Sequence, residues 1–99
     1  MIRNDLLKEL LPITEDTIVV CNIGIPSQEL YKLDTERKNH FYMLGSMGLA
    51  SSIGVALAQS TSKPILSIEG DGAVLMNLGT LTTIAHVAPK NYILLIIDN

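Results

Sequence analysis

The chain has 99 residues, of which 47% are hydrophobic and 17% are charged, the balance of a small domain that folds around a core. Ten acidic and seven basic side chains are scattered along it and give a formal net charge of −3, so no basic face for nucleic acid is expected. The single cysteine, Cys21, excludes a disulfide within these residues and is expected to be a small buried hydrophobe.

The first segment predicts a helix. Apolar residues recur at helical spacing from Ile2 to Leu11, and Pro12 is expected to end the helix because its ring cannot continue it. Charged side chains interrupt these leucines, whereas a secretory signal needs a continuous apolar stretch. We therefore expect the chain to be cytoplasmic.

A β-branched run without alternation, residues 17–21, predicts a strand that is buried on both faces, as in a parallel sheet. Residues 22–27 are rich in turn formers and lead into a short predicted helix near residues 28–32. Residues 33–40 are polar and expected to be exposed. The apolar run 41–44 is ambiguous.

Residues 41–59 contain no charged side chain, which raises the question of a membrane span. Their many glycines and serines make the segment only weakly hydrophobic, and Gly45-Ser46 would break it into pieces too short to span, so no membrane is expected. Residues 47–59 instead predict a helix. Its small side chains would let another backbone approach closely.

The last third of the chain alternates strand, helix and strand. Residues 64–69 and 92–97 are predicted strands, and Asn77 is expected to cap a helix that reaches about His86. Together with the earlier elements, this rhythm predicts an α/β fold with a parallel sheet flanked by helices.

Polar residues follow two of the predicted strands. Gly70-Asp71-Gly72 follows one, and Asp98-Asn99 follows the next, with 28 positions from Asp71 to Asn99. In parallel sheets, ligands bind outside the carboxyl ends of the strands. A carboxylate and an amide oxygen suit Mg²⁺, and the two glycines would let backbone N–H groups approach a diphosphate. The tripeptide taken alone would more often be an ordinary turn.

The combination of Gly70-Asp71-Gly72 with Asn99 resembles the thiamine-diphosphate-binding motif. The resemblance implies that Asp71 and Asn99 ligate the Mg²⁺ that holds the diphosphate of the cofactor. Many members of that family have serine where this chain has Ala73, so a hydroxyl contact to a phosphate is not expected from this position.

A second stretch, residues 41–52, is similar to the segment that cradles the aminopyrimidine of the cofactor in this family. The resemblance implies that Gly45, Ser46 and Met47 contact the cofactor. The Gly45 carbonyl would accept a hydrogen bond from the 4′-amino group, and Met47 would wedge the cofactor into its bent shape. Ordinary core packing is the alternative role for Met47.

Residues 41–99, with Asn22-Ile23-Gly24, resemble the sulfopyruvate decarboxylases, chiefly their β subunit, and slightly less the phosphonopyruvate decarboxylases. The family implies thiamine diphosphate and Mg²⁺ as cofactors, a small anionic 2-oxoacid as substrate and, for sulfopyruvate, a step toward coenzyme M. The activating glutamate of the family belongs to a pyrimidine-binding domain, here an α subunit, so no catalytic residue is expected in this chain. Residues 1–99 would be the N-terminal part of one diphosphate-binding domain, truncated at its C-terminus.

Two alternatives come from other classes of protein. A thiamine-dependent oxidoreductase subunit would usually bring iron–sulfur ligands, which one cysteine cannot supply. A non-catalytic binding or assembly module would be expected to lose the metal ligands, yet Asp71 and Asn99 are present. Of the two histidines, His40 could line the substrate pocket or be partly exposed, and His86 is expected near a helix end.

Overall fold

The computed structural model describes residues 3–13, 16–22, 25–33, 39–43 and 47–97. The elements in chain order are α1 (Arg3–Ile13), β1 (Ile18–Cys21), α2 (Ile25–Leu33), β2 (His40–Tyr42), α3 (Ala50–Ser60), β3 (Ile65–Gly70), α4 (Asp71–Met76), α5 (Thr80–Val87) and β4 (Tyr92–Ile97).

The four strands form one parallel sheet in the order β2-β1-β3-β4. The register pairs Cys21 with Ile68, and Gly70 with Ile97. All carboxyl ends therefore lie at one edge of the sheet, which we call the carboxyl edge. The predicted α/β fold with a parallel sheet and flanking helices is confirmed.

The side chains of β1 and β3 alternate between two cores because successive residues of a strand point to opposite faces. One face packs on α1 and α2 through a buried cluster of Leu7, Val19, Cys21, Leu30, Leu66, Ile68 and Ile97. The other face packs on α3 through Val20, Met43 and Ala50. Burial on both faces explains why these strands have continuous apolar runs, and Cys21 is buried as predicted.

Helix α3 lies unusually close to β3 and β4. A Cβ placed on Gly54 would lie 1.9 Å from Ser67 Oγ and 2.7 Å from Tyr92 Cε1. The small side chains of this segment therefore serve close packing of the helix on the sheet, as their composition predicted.

Three elements differ from the sequence-based expectations. Helix α1 continues through Pro12 to Ile13, one residue beyond the proline. Residues 41 and 42 of the apolar run 41–44, whose pattern is ambiguous, belong to strand β2, which begins at His40. The helix predicted from Asn77 to about His86 is α5, which begins three residues later at Thr80, and an additional helix, α4, precedes it from Asp71 to Met76, directly after β3.

Among the described residues, no helix is long and apolar enough to cross a membrane. The uncharged segment that prompted this test is divided between β2 and α3, with a turn at Met47–Gly48 inside it.

Candidate cofactor site at the carboxyl edge

The carboxyl edge gathers polar residues from the two central strands. Asn22 follows β1, and its backbone N–H donates to the Ile68 carbonyl at 2.9 Å. Asp71 follows β3 and is exposed, whereas Asn22 is 5% exposed. The sheet thus presents a carboxylate beside a buried amide side chain, where ligands of parallel α/β sheets bind.

The Gly70-Asp71-Gly72 turn opens helix α4. The Gly72 backbone N–H donates to Asp71 Oδ1 at 3.0 Å, which orients the carboxylate over the start of the helix. Gly70 has φ −78°, an ordinary value for any residue. A Cβ on Gly70 would come no closer than 3.7 Å to Asn22 Nδ2, and one on Gly72 no closer than 3.8 Å to Met47 Cε. Neither glycine is required by packing among the described residues, and both leave room for a ligand to approach the backbone.

Met47 lies across from this turn, and 46% of it is exposed. A core residue would be covered, so ordinary core packing does not describe Met47 in this chain. Its side chain borders the space above Gly72. This position is compatible with the predicted contact between Met47 and a cofactor, which stays a prediction.

Gly48 fixes the backbone beside Met47. Its φ of +93° is a conformation that side chains rarely adopt, and an added Cβ would lie 2.8 Å from the Ala73 carbonyl oxygen. The Asn77 side chain donates to the Gly48 carbonyl at 3.2 Å and to Ser52 Oγ at 3.1 Å. Asn77 therefore ties the end of α4 to the segment that carries Met47, a role different from the helix N-cap that the sequence predicted.

The first turn of α3 is held by three polar side chains of the sheet. Ser67 Oγ donates to the Ala50 carbonyl at 2.9 Å, and the Ser51 N–H donates to Glu69 Oε1 at 2.7 Å. The Tyr92 hydroxyl donates to the Ser51 carbonyl at 3.1 Å. The residue that precedes the helix, Leu49, has no capping side-chain hydrogen bond. Of these contacts, the one from the Ser51 N–H to Glu69 satisfies a backbone N–H that a local cap would otherwise serve, and the other two bind carbonyls of the same turn.

Partial burial changes the acidity of Tyr92. Loss of solvation raises the pKa of the phenol above its ordinary value, the hydrogen bond with Ser67 acts in the opposite direction, and the charge of Glu69 adds a further increase. The phenol is therefore neutral at physiological pH and available as a donor.

The predicted site residues have different outcomes. Gly70, Asp71, Gly72 and Met47 come together at the carboxyl edge, and Ala73 follows them as a buried residue of α4. The predicted cofactor contacts Gly45 and Ser46 and the predicted metal ligand Asn99 lie outside the described residues. Within the described part of the chain, no group of three or more His, Cys, Asp or Glu side chains could hold a metal ion.

His40 has a different environment from the one considered for a substrate pocket. It begins β2, and its Nδ1 lies 2.8 Å from the Tyr42 hydroxyl, with the two rings edge to face. The pairing of His40 with Val19 places it two residues before the carboxyl end of its strand. This position gives the pocket role no support.

The sequence predicts no site role for Glu69 and predicts a helix cap for Asn77. Glu69 offered one signal, an acidic residue at the end of an otherwise apolar strand directly before Gly70. Asn77 offered none, because its contact with Gly48 joins positions 29 residues apart.

The amino-acid sequence was compared with known protein families and with individual proteins. Residues 22–99 match the thiamine pyrophosphate enzyme family, C-terminal TPP binding domain, thiamine pyrophosphate being another name for thiamine diphosphate. The chain is 56% identical over 97 residues to sulfopyruvate decarboxylase subunit beta of Methanococcus maripaludis, covering 98% of this chain and 52% of that protein. It is 46% identical over 99 residues to sulfopyruvate decarboxylase of Methanosarcina acetivorans, covering all of this chain and 25% of that protein.

A third relative, phosphonopyruvate decarboxylase of Streptomyces viridochromogenes, is 44% identical over 90 residues, which are 91% of this chain and 22% of that protein. The chain spans about half the length of the beta subunits that it matches and a smaller share of the other two relatives. Because the family match covers 78 of the 99 residues (22 to 99), the chain belongs to the thiamine pyrophosphate enzymes, through their C-terminal TPP-binding domain.

Proposed function

We propose that this chain is the β-type subunit of a thiamine-diphosphate-dependent decarboxylase that converts sulfopyruvate to sulfoacetaldehyde and CO₂, a step toward coenzyme M. The observation that carries the proposal is the juxtaposition of Met47 with the Gly70-Asp71-Gly72 turn at the carboxyl edge. Relatives named sulfopyruvate decarboxylase subunit beta, at 46–56% identity over nearly the whole chain, support this substrate.

The residues present fit the cofactor. Gly70 and Gly72 leave space over the backbone, and the exposed Asp71 carboxylate is an oxygen ligand of the kind that Mg²⁺ prefers. Asp71 and Asn99 would hold the metal ion, and Gly45, Ser46 and Met47 would orient the aminopyrimidine. When bound, thiamine diphosphate takes up the electron pair that is released as CO₂ leaves a 2-oxoacid.

The contribution of this chain is positioning rather than proton transfer. The turn at Gly70–Gly72 and the segment at Met47 would hold two ends of one cofactor, which limits the conformations that it can adopt. The glutamate that activates the aminopyrimidine would come from an α subunit with a pyrimidine-binding domain. The name of the beta-subunit relatives supports such a partner. Residues 1–99 would form the N-terminal part of a single TPP-binding domain in a cytoplasmic enzyme.

Phosphonopyruvate is the second candidate substrate, because relatives named phosphonopyruvate decarboxylase are 44–47% identical to the chain. The full polypeptide should be assembled with its partner subunit, thiamine diphosphate and Mg²⁺, and CO₂ release measured from both acids side by side. Faster release from sulfopyruvate is expected. Faster release from phosphonopyruvate would favour the second candidate, and no release from either would favour a non-catalytic binding or assembly module.

A further inference from the structure

Glu69 stands apart from the other ionisable residues. Among the residues that the structure describes, it is the only charged side chain that is buried, with 0% of its surface exposed. Burying a carboxylate costs free energy unless hydrogen bonds or opposite charge compensate it. An apolar side chain would fill the same place without that cost, so the carboxyl group needs a reason other than core packing.

The contacts of Glu69 point to the segment that precedes α3. Its Oε1 accepts from the Ser51 N–H at 2.7 Å, within the range of charge-assisted hydrogen bonds. Its Oε2 is buried and has no hydrogen-bond partner among the described residues. Glu69 is also the residue directly before Gly70, so a single side chain links the turn that carries Asp71 to the first turn of α3.

The chain next to Ser51 is the segment Met47–Leu49. Its middle residue, Gly48, is fixed against α4 by the Asn77 hydrogen bond and by close contact with the Ala73 carbonyl. Its far end joins α3, whose first turn receives the Glu69 contact. The segment is therefore held by α4 at Gly48 and by the first turn of α3, where Glu69 binds a backbone N–H while Ser67 and Tyr92 bind carbonyls. Glu69 is the contact of this turn that directly adjoins Gly70-Asp71-Gly72.

We propose that Glu69 is a positioning residue whose buried carboxyl group holds the first turn of α3, and with it Met47, in fixed relation to the Gly70-Asp71-Gly72 turn. The two segments expected to contact the cofactor are then presented together before it binds. The positioning of Met47 by Glu69 rests on contacts within the chain. Its effect on cofactor binding rests on the proposed function.

The test compares three variants of the full polypeptide assembled with its partner subunit. Glu69→Leu removes the acceptor, Glu69→Gln keeps an acceptor oxygen of the same shape, and Asn91→Ala is the matched control. The two hydrogens of Asn91 Nδ2 are shared among the carbonyls of Ala58, Thr61 and Lys63, all within 3.0 Å, so the loss of this side chain loosens the opposite end of α3. Two quantities are measured below the unfolding temperature of every variant: the affinity for Mg²⁺-thiamine diphosphate, and amide hydrogen exchange over residues 47–51 without cofactor.

Glu69→Leu is expected to weaken cofactor affinity by about tenfold, the scale of one lost hydrogen bond to a charged group, and to speed exchange at residues 47–51. Glu69→Gln should keep most of the cofactor affinity and most of the protection from exchange. Asn91→Ala should change neither the affinity nor the exchange at residues 47–51. Unchanged exchange in a folded Glu69→Leu variant would overturn the proposal, as would an equal effect of Asn91→Ala. If the wild type did not bind the cofactor but exchange responded as expected, the proposed function would fail while the positioning of Met47 by Glu69 would stand.

Discussion

Glycines around the carboxyl edge have different surroundings, which decide what an added methyl group would do. Gly48 has φ +93°, and its added Cβ would lie 2.8 Å from a backbone carbonyl oxygen. Gly72 is helical, and its added Cβ would meet only Met47 Cε at 3.8 Å. The first glycine is required by the fold, whereas the second leaves space for a ligand.

We therefore expect Gly72→Ala to keep the fold and weaken cofactor binding, since alanine is favoured over glycine in a helix while its methyl group would occupy the approach to the backbone. Gly48→Ala should instead lower the free energy of unfolding by about 1–3 kcal/mol. Urea unfolding of each variant and titration of the assembled complex with Mg²⁺-thiamine diphosphate measure the two effects. Normal cofactor affinity in Gly72→Ala would contradict the assignment of this turn.

Tyr92 predicts a stability change at high pH. Its pKa is raised in the folded chain above the ordinary value of about 10, chiefly by burial. As pH rises, the phenol of the unfolded chain therefore loses its proton before that of the folded chain. The contribution of Tyr92 to the free energy of unfolding is fully present below a pH of about 10 and is lost as pH rises through the folded pKa.

The variant Tyr92→Phe should lose about 1 kcal/mol at neutral pH, because the hydroxyl no longer donates to the Ser51 carbonyl. As pH rises above about 10, the stability of this variant should fall less steeply than that of the wild type, because it has no phenol to ionise. Urea midpoints across this range provide the comparison. Parallel pH profiles for the two proteins would show that Tyr92 has no raised pKa.

At the scale of elements, the contact between α3 and β3 controls how the first turn of α3 meets the sheet. Gly54→Ala should lower the free energy of unfolding by about 2 kcal/mol or more, because the added Cβ would overlap Ser67 Oγ at 1.9 Å. Gln59→Ala, an exposed change on the same helix, is the control and should stay within about 0.5 kcal/mol of the wild type. Equal stability of the two variants would mean that α3 does not lie this close to β3.

Sequence patterns predicted the strands that have continuous apolar runs. The apolar runs of β1 and β3 predicted nearly the observed bounds because both faces of those strands are covered. The apolar run of β4 also predicted its bounds, although this edge strand exposes Ile93 and Ile96. Strand β2 was not assigned, since it has three residues, lies at the edge of the sheet and exposes Phe41. The start of α4 was also missed, because Gly70-Asp71-Gly72 has the composition of a turn.

The candidate site was predictable only in part. Asp71 and its two glycines could be assigned because they follow a strand that the sequence identifies. The contacts of Glu69 with Ser51 and of Asn77 with Gly48 join residues 18 and 29 positions apart, and no local pattern encodes such contacts. They arise from the packing of α3 and α4 against the same end of the sheet.

At the scale of the whole molecule, apolar side chains flank the candidate site. Leu75, Met76 and Leu78 are 69%, 66% and 52% exposed at the end of α4 and in the turn that follows. Apolar surface of this kind is typical of a protein contact. It is compatible with the proposed partner subunit, which would bring the activating glutamate to this edge.

We accordingly expect no decarboxylase turnover from the purified chain alone and turnover after the pyrimidine-domain subunit is added. The physical reason is that the groups proposed in this chain would hold the cofactor but would not transfer its proton. CO₂ release with and without the second polypeptide measures the difference. Turnover by the chain free of any partner would show that the activating group lies within it.

We propose above all that the carboxyl edge binds thiamine diphosphate through a metal ion held by Asp71. The most direct measurement is calorimetric titration of the assembled complex with thiamine diphosphate, in Mg²⁺ and after chelation, for wild type, Asp71→Ala and Ala73→Ser. We predict binding by the wild type only with Mg²⁺, a loss of that binding in a folded Asp71→Ala variant, and a mild effect of Ala73→Ser. Equal affinity with and without the Asp71 carboxylate would contradict the account.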